Sequence, residues 1–316
     1  IIISMFNIPI VFLTYKRPKE TKKMLGIIAK IKPKKLYIFQ DGKKKDFKTS
    51  EAKNHNDTTK LLKKFSKSKS KKIFFKKNVG QRFIGQKILN YVFKKEKFAI
   101  ILEDDCVPEN GFFNFCKEML IKYSSDKTIA HISGCNLYYG TSRKRIVKKQ
   151  DYIFSKFPHF MGWATWKNRW KKYYDPEIRD WPANRSYFLN NCNLRSGEKR
   201  FFNYYLNKIY YGKQIAWDTQ WIYYNILNNF KTIVPNVNLI KNIGYYNAPT
   251  GKGTKKFRNL TTKKILFPIR HNLNKSFCKD YDKFLYDSFY NRKNIIKRIY
   301  NKFRYTTKPL ISFYKT

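Results

Sequence analysis

Phe98-Ala-Ile-Ile-Leu-Glu103-Asp104-Asp105-Cys-Val-Pro108 is an apolar run that stops abruptly at three consecutive carboxylates. Acid is scarce elsewhere in the chain, where 21 Asp and Glu stand against 68 Lys and Arg. A short apolar run closed by polar residues reads as a buried parallel strand. Such a strand delivers the residues after it to the carboxyl edge of a sheet, where open α/β folds bind ligands. Three carboxylates at that edge repel one another and raise each other's pKa unless a cation joins them. Hard oxygen donors suit Mg²⁺ or Mn²⁺, which would in turn hold a phosphate. Taken alone, the triplet can equally be an acidic loop.

The flanking segments supply the context. Residues 8–13 read as a strand followed by Thr14-Tyr-Lys-Arg-Pro18, with Pro18 suited to the first turn of a helix over 19–30. Residues 36–39 form a second strand ending at Gln40-Asp41-Gly42, and 73–75 a third, after a Lys/Ser-rich helix and loop at 60–72. Asn78-Val-Gly-Gln81 turns into a helix over 82–95, and helix 109–123 and strand 129–133 come after the acidic triplet. Strands alternating with helices predict a parallel, doubly wound sheet. Beyond residue 135 the pattern loosens. Helices are expected at 200–211 and 217–229, an extended segment at 234–240, and a basic, aromatic-rich helix at 280–304.

With those segments in order, the chain resembles the GT-A fold nucleotide-sugar glycosyltransferases, family 2-like, and especially the hemolytic-protein-like sugar transferases. The stretches that carry the resemblance are 9–18, 38–42, 78–81, 101–108, Ile132-Ser-Gly134, Gly162-Trp-Ala-Thr-Trp166, Trp217-Asp-Thr-Gln-Trp221 and Pro235-Asn-Val-Asn-Leu-Ile-Lys-Asn-Ile-Gly244. A more distant resemblance is to the inverting N-acetylglucosaminyltransferase I enzymes, which share a Glu-Asp-Asp after the fourth strand and a later Trp-Asp. The resemblance implies an α/β, Rossmann-like GT-A domain over 1–255, its nucleotide-sugar half at 1–135 and its acceptor half at 136–255. A basic helical C-terminal extension then covers 256–316.

The same resemblance assigns roles. Asp105 matches the last acid of a DXD-type motif and would hold Mn²⁺ or Mg²⁺ on the diphosphate. Asp104 would bond the ribose or donor sugar, and Glu103 the sugar hydroxyls. Arg17 and Asp41 would surround the nucleobase, a carboxylate accepting the N3–H of uracil, which points to a UDP donor. Gly80 and Gln81 match a loop that lets the backbone approach the nucleotide. Asp218 would be the general base, with a helix cap as its plainer role. Trp163, Trp166 and Trp217 fall in acceptor-side segments, although each tryptophan taken separately also suits the core. The implied partners are a nucleotide-sugar donor and a surface-glycan or lipid-linked acceptor. Relatives often carry Thr-His-Thr where this chain reads 247–254.

Composition bounds the alternatives. A net charge of +47 favours an anionic partner, and 292–308 is a basic amphipathic stretch able to lie on an anionic leaflet. A nucleic-acid-binding protein would explain the charge but shows no compact basic–aromatic motif, so no specific nucleic acid is expected. Nucleotidyl transfer would want a Gly-rich basic loop after the first strand, which 14–18 does not supply. Five cysteines without CxxC or zinc spacing fit a reducing cytosol, and the opening residues read as a strand rather than a signal peptide. The expected location is the cytoplasm, peripheral on the inner membrane face. His131, His159 and His271 are isolated; His159, just before the Gly-Trp segment, could line the site, though a satisfied structural histidine is the commoner role.

Overall fold

The computed structural model describes residues 5–214, 216–244 and 260–291. The expectations for 247–256 and for the basic stretch at 292–308 lie outside them.

β1 (Ile10–Thr14) passes into α1 (Pro18–Ile31), whose first turn carries Pro18 and whose end is set by Lys32 in the left-handed region (φ 49). One face of α1, with Thr21, Met24, Leu25 and Ile28, is buried. The same alternation continues through β2 (Leu36–Gln40), α2 (Thr49–Lys64), β3 (Ser70–Phe74), α3 (Gln81–Val92) and β4 (Phe98–Glu103). Ile100 and Leu102 of β4 are fully enclosed, each such side chain contributing about 1.5–3 kcal/mol relative to exposure.

β5 (Cys106–Pro108), α4 (Phe112–Lys122), β6 (Ile129–Ser133), α5 (Leu137–Ser142), β7 (Tyr152–Ser155), β8 (Trp163–Trp166) and α6 (Lys167–Tyr173) come next. The remaining elements are α7 (Trp181–Asn191), α8 (Ser196–Tyr210), α9 (Asp218–Leu227), β9 (Lys231–Pro235), β10 (Ile240–Asn242) and α10 (Lys279–Leu285), the last extended by a π-helical turn at Tyr286–Tyr290.

Eight strands form one sheet in the order β3-β2-β1-β4-β8-β6-β9-β7. Six run in one direction, while β8 and β7 run against them. The fold is therefore a mixed α/β architecture with a mostly parallel central sheet, as the strand–helix alternation predicts. Strand β8 was not anticipated from the sequence. The strand at 129–133 does not neighbour β4, because antiparallel β8 stands between them with all four of its residues buried. Its aromatic content hides it from any alternation rule.

β5 and β10 make a small second sheet above the end of β4. The segment from 260 onward straps the body. Leu260 is buried, Arg270 pairs with Asp151, Phe277 bridges Phe154, and Asp282 of α10 accepts a hydrogen bond from Ser155. Among the described residues no helix is long and apolar enough to cross a membrane.

Candidate functional site

A cleft of about 550 Å³ opens at the carboxyl ends of β1, β2 and β4. Its walls include Thr14, Arg17, Asp41, Gly80, Gln81, Glu103, Asp104 and Trp217. Parallel neighbours in register end at the same edge, so segments far apart in sequence arrive together.

Asp104 sits just past the end of β4 and is buried. Its Oδ2 accepts from the Thr14 hydroxyl at 2.9 Å and from the Tyr15 backbone at 3.4 Å. The Arg17 Nη1 donates to Asp104 Oδ1 at 3.0 Å and to Asp105 Oδ2 at 2.8 Å. Burial works against the charge on Arg17, but Asp104 and Asp105 outweigh it and raise the guanidinium's pKa. Burial likewise lifts Asp104 to about 6, with Arg17 opposing and Asp105 reinforcing the rise. The Glu103 side chain makes no hydrogen bond among the described residues. Burial, then the charges of Asp105 and Asp104, push it up to about 8, with a further contribution from Asp218. The repulsion expected of three adjacent acids is present, and Arg17 is the cation that relieves it for two of them.

Asp105 is held from behind. Its Oδ1 accepts from the Cys106 thiol at 3.3 Å, and the Ile243 amide bonds its carbonyl at 2.8 Å. A Cβ on Gly244 would collide with the Asp105 carboxyl, so any larger residue there would displace that side chain. Among the described residues no group of three or more His, Cys, Asp or Glu side chains is arranged to hold a metal ion. The described residues therefore offer no all-protein cage; a single carboxylate such as Asp105 could hold Mn²⁺ or Mg²⁺ only together with oxygens from a ligand and water.

Asp41 lines the cleft with a carboxylate that is already bonded within the protein. Its Oδ1 accepts from Gly42 and Val79 amides at 2.8 Å each, and its Oδ2 from the Asn78 side chain at 2.9 Å and the Gly80 amide at 3.1 Å. A carboxylate offers about four lone-pair positions, and all are engaged. Asp41 braces the 78–80 loop that forms one wall. Gly80 there takes φ 77 before α3 begins at Gln81, a backbone conformation glycine adopts freely.

Asp218 is the first residue of α9, with Trp217 at the cap position. Its Oδ1 accepts from the Thr219 amide at 2.7 Å and hydroxyl at 3.3 Å. Burial raises its pKa, with the Thr219 bonds partly offsetting that rise. Trp217 lines the cleft, stacked on Trp163 at 5.7 Å and packed against Gly85. Trp163 is buried, with the ring of His131 stacked on it at 5.0 Å and Phe160 and Trp170 packed beside it. Trp166 is not at the site. Antiparallel pairing sets Trp163 opposite Ile101 but Trp166 opposite Phe98, at the far end of β4, where its indole donates to the Leu120 carbonyl.

His131 and His159 belong to the core behind this wall. His131 Nε2 meets the His159 carbonyl at 2.8 Å, and Tyr281 bonds His159 Nε2 at 3.0 Å. His271 lies instead beside Glu118, at 3.1 Å. Thr14 and Gly244 were not singled out from sequence as individual site residues. Thr14 carried a signal, being the last residue of β1 and hence at the sheet edge.

No protein-family model and no curated protein sequence matches the chain. Among solved structures it is similar to apo UDP-glucose pyrophosphorylase, with 8% identity, 72% of this chain and 90% of that chain covered, and a TM-score of 0.35. The same enzyme complexed with UDP-glucose aligns with 6% identity, the same coverage and a TM-score of 0.30. Similarity at this level is no guide to activity, which has to be read from the cleft.

Proposed function

We propose that the chain is an inverting glycosyltransferase that moves a sugar from a nucleoside diphosphate, with UDP the leading donor, to a glycan or lipid-linked hydroxyl. The observation that carries this reading is the acid cluster at the carboxyl edge of the sheet, where Asp104 and Asp105 are tied to Arg17 and Glu103 and Asp104 line the cleft. Trp217, the residue before Asp218 at the start of α9, lines the same cleft.

In this reading Asp218 takes the proton of the acceptor hydroxyl as that oxygen attacks the anomeric carbon and the bond to the diphosphate breaks. Its raised pKa makes it the stronger base. Lys16, Arg17 and Lys44 line the same cleft and can pair with the diphosphate oxygens. Glu103, whose pKa is pushed up by burial and by Asp105 and Asp104, lines the same cleft and can bond a donor-sugar hydroxyl. Asp105 would hold Mn²⁺ or Mg²⁺, which when bound offsets charge on the departing diphosphate.

The test is a thermal-shift screen of nucleotide sugars with and without Mn²⁺. One nucleoside diphosphate at a hundredfold its Kd should stabilise by about 2.7 kcal/mol, and only with metal. Asp105→Ala should abolish that shift. Asp218→Asn should keep it while transfer drops roughly 10²–10⁴-fold. If no nucleotide stabilises the protein, or if the metal makes no difference, the reading fails.

A further inference from the structure

A second concavity, of about 930 Å³, lies at the β3 edge of the sheet and is separate from the catalytic carboxylates. One wall is the face of α3 formed by Phe83, Gln86, Lys87, Asn90 and Tyr91, spaced three and four residues apart. Ile84, Ile88, Leu89 and Val92 turn the opposite face into the core. The other wall is the segment 75–79, whose Asn78 also lines the cleft. The two concavities therefore meet at one residue.

The chemistry of the groove is one-sided. Lys76, Lys77, Lys87 and Lys94 line it without an acid among the lining residues, and none of the four has an ion-pair partner among the described residues. The amides of Gln86 and Asn90 are likewise without side-chain partners there. The rings are already engaged by cations or by another ring. Phe75 has Phe39 against one face, 6.2 Å away, and Lys87 over its ring at 5.5 Å. Lys71 stands over Tyr91 at 5.1 Å, and Arg82 over Phe83 at 5.4 Å.

We propose that this groove binds an acidic glycan, a chain of sugars bearing carboxylate or phosphate groups, and leads it toward the cleft at Asn78. Its role as the acceptor or product chain rests on the glycosyl-transfer reading. The ammonium groups meet the acid substituents, and the free amides bond neighbouring hydroxyls. A single-stranded nucleic acid needs ring faces on which its bases can stack, and Phe75, Tyr91 and Phe83 each already carry a cation over one face. A planar bilayer cannot follow a concave surface.

The test measures binding of oligogalacturonate, its methyl ester, poly(U) and phosphatidylglycerol vesicles to the full chain. Ionic strength is held at about 0.15 M, where remote charges are screened beyond about 8 Å. Lys76→Glu, Lys87→Glu and Lys94→Glu together should weaken oligogalacturonate binding by roughly tenfold or more. Lys22→Glu, Lys23→Glu and Lys30→Glu on the exposed face of α1 change the net charge equally and should leave it within about twofold. The methyl ester should not bind. Equal loss in both triple variants would reduce the effect to the general positive field and overturn the proposal. Groove-dependent binding of poly(U) or vesicles, without oligogalacturonate binding, would overturn it too. The nucleotide-induced thermal shift should persist in the groove variant. Its absence from the wild-type chain would count against the donor site, whatever the glycan result.

Discussion

Arg17 holds Asp104 and Asp105 through one guanidinium nitrogen, at 3.0 and 2.8 Å, across 87 and 88 residues of sequence. The arginine side chain is 40% exposed while both acids are largely covered. Removing it leaves two neighbouring carboxylates without their counter-charge. Breaking a fully buried pair costs about 3–5 kcal/mol, and solvent screening of Arg17 cuts that figure substantially. Arg17→Ala is expected to lower stability by about 1–2 kcal/mol in urea denaturation at pH 7. Arg17→Lys should recover part of the loss, since a point charge can still sit between the two acids. The same residue marks a limit of sequence reading. Its place after β1 identified it as a sheet-edge cation, but its partners could not be named until β1 and β4 were paired.

At the scale of elements, α10 is pinned to β7 by one carboxyl. Asp282 accepts from the Ser155 hydroxyl at 2.5 Å, and burial raises its pKa to about 6 despite that bond and the nearby Lys156. The native state therefore holds this proton more tightly than the unfolded chain, where an aspartate titrates near 3.9. The contribution is fully present below the unfolded value and is lost as pH rises through about 6. The stability difference between wild type and Asp282→Asn should shift by about 1–3 kcal/mol between pH 4 and 7, with wild type gaining on the acid side. Thermal denaturation of both proteins across that range checks it. The α10 helix itself was anticipated as part of a longer one. Its start was legible, but its anchoring to β7 was not, because Ser155 and Asp282 are 127 residues apart.

Across the whole molecule, β8 joins the strands of the first 135 residues to those beyond them, pairing with β4 on one side and β6 on the other. Behind it lie His131 and His159, whose burial lowers their pKa values to about 3 and about 4. Both remain neutral in the fold, while the unfolded chain takes up their protons near pH 6.5. Their contribution is present above that value and is lost as pH falls toward the folded values. Each should steepen acid unfolding by about 1.4 kcal/mol per pH unit below 6.5. His131→Gln should flatten the stability profile between pH 6 and 4 by about that slope, measured by urea denaturation at each pH. This trend opposes that of Asp282, so the two separate cleanly when each variant is compared with wild type.

By itself the sequence determined the strand–helix alternation of the first 135 residues, the buried acid-ended strand, and the carboxyl-edge positions of Arg17, Asp41 and Glu103–Asp105. These come from local pattern, because apolar runs and the residues that close them fix which end of a strand a side chain occupies. Only the tertiary structure decided how those residues are used. Asp41 turned inward to four donors of the 78–80 loop and its own neighbour Gly42, and Gly244 came to rest against Asp105. Trp163 went into the core behind Trp217, which lines the cleft, while Trp166, three residues on, went to the opposite end of β4. Such outcomes depend on strand order and direction, which long-range pairing and burial choose and which no short window of sequence encodes.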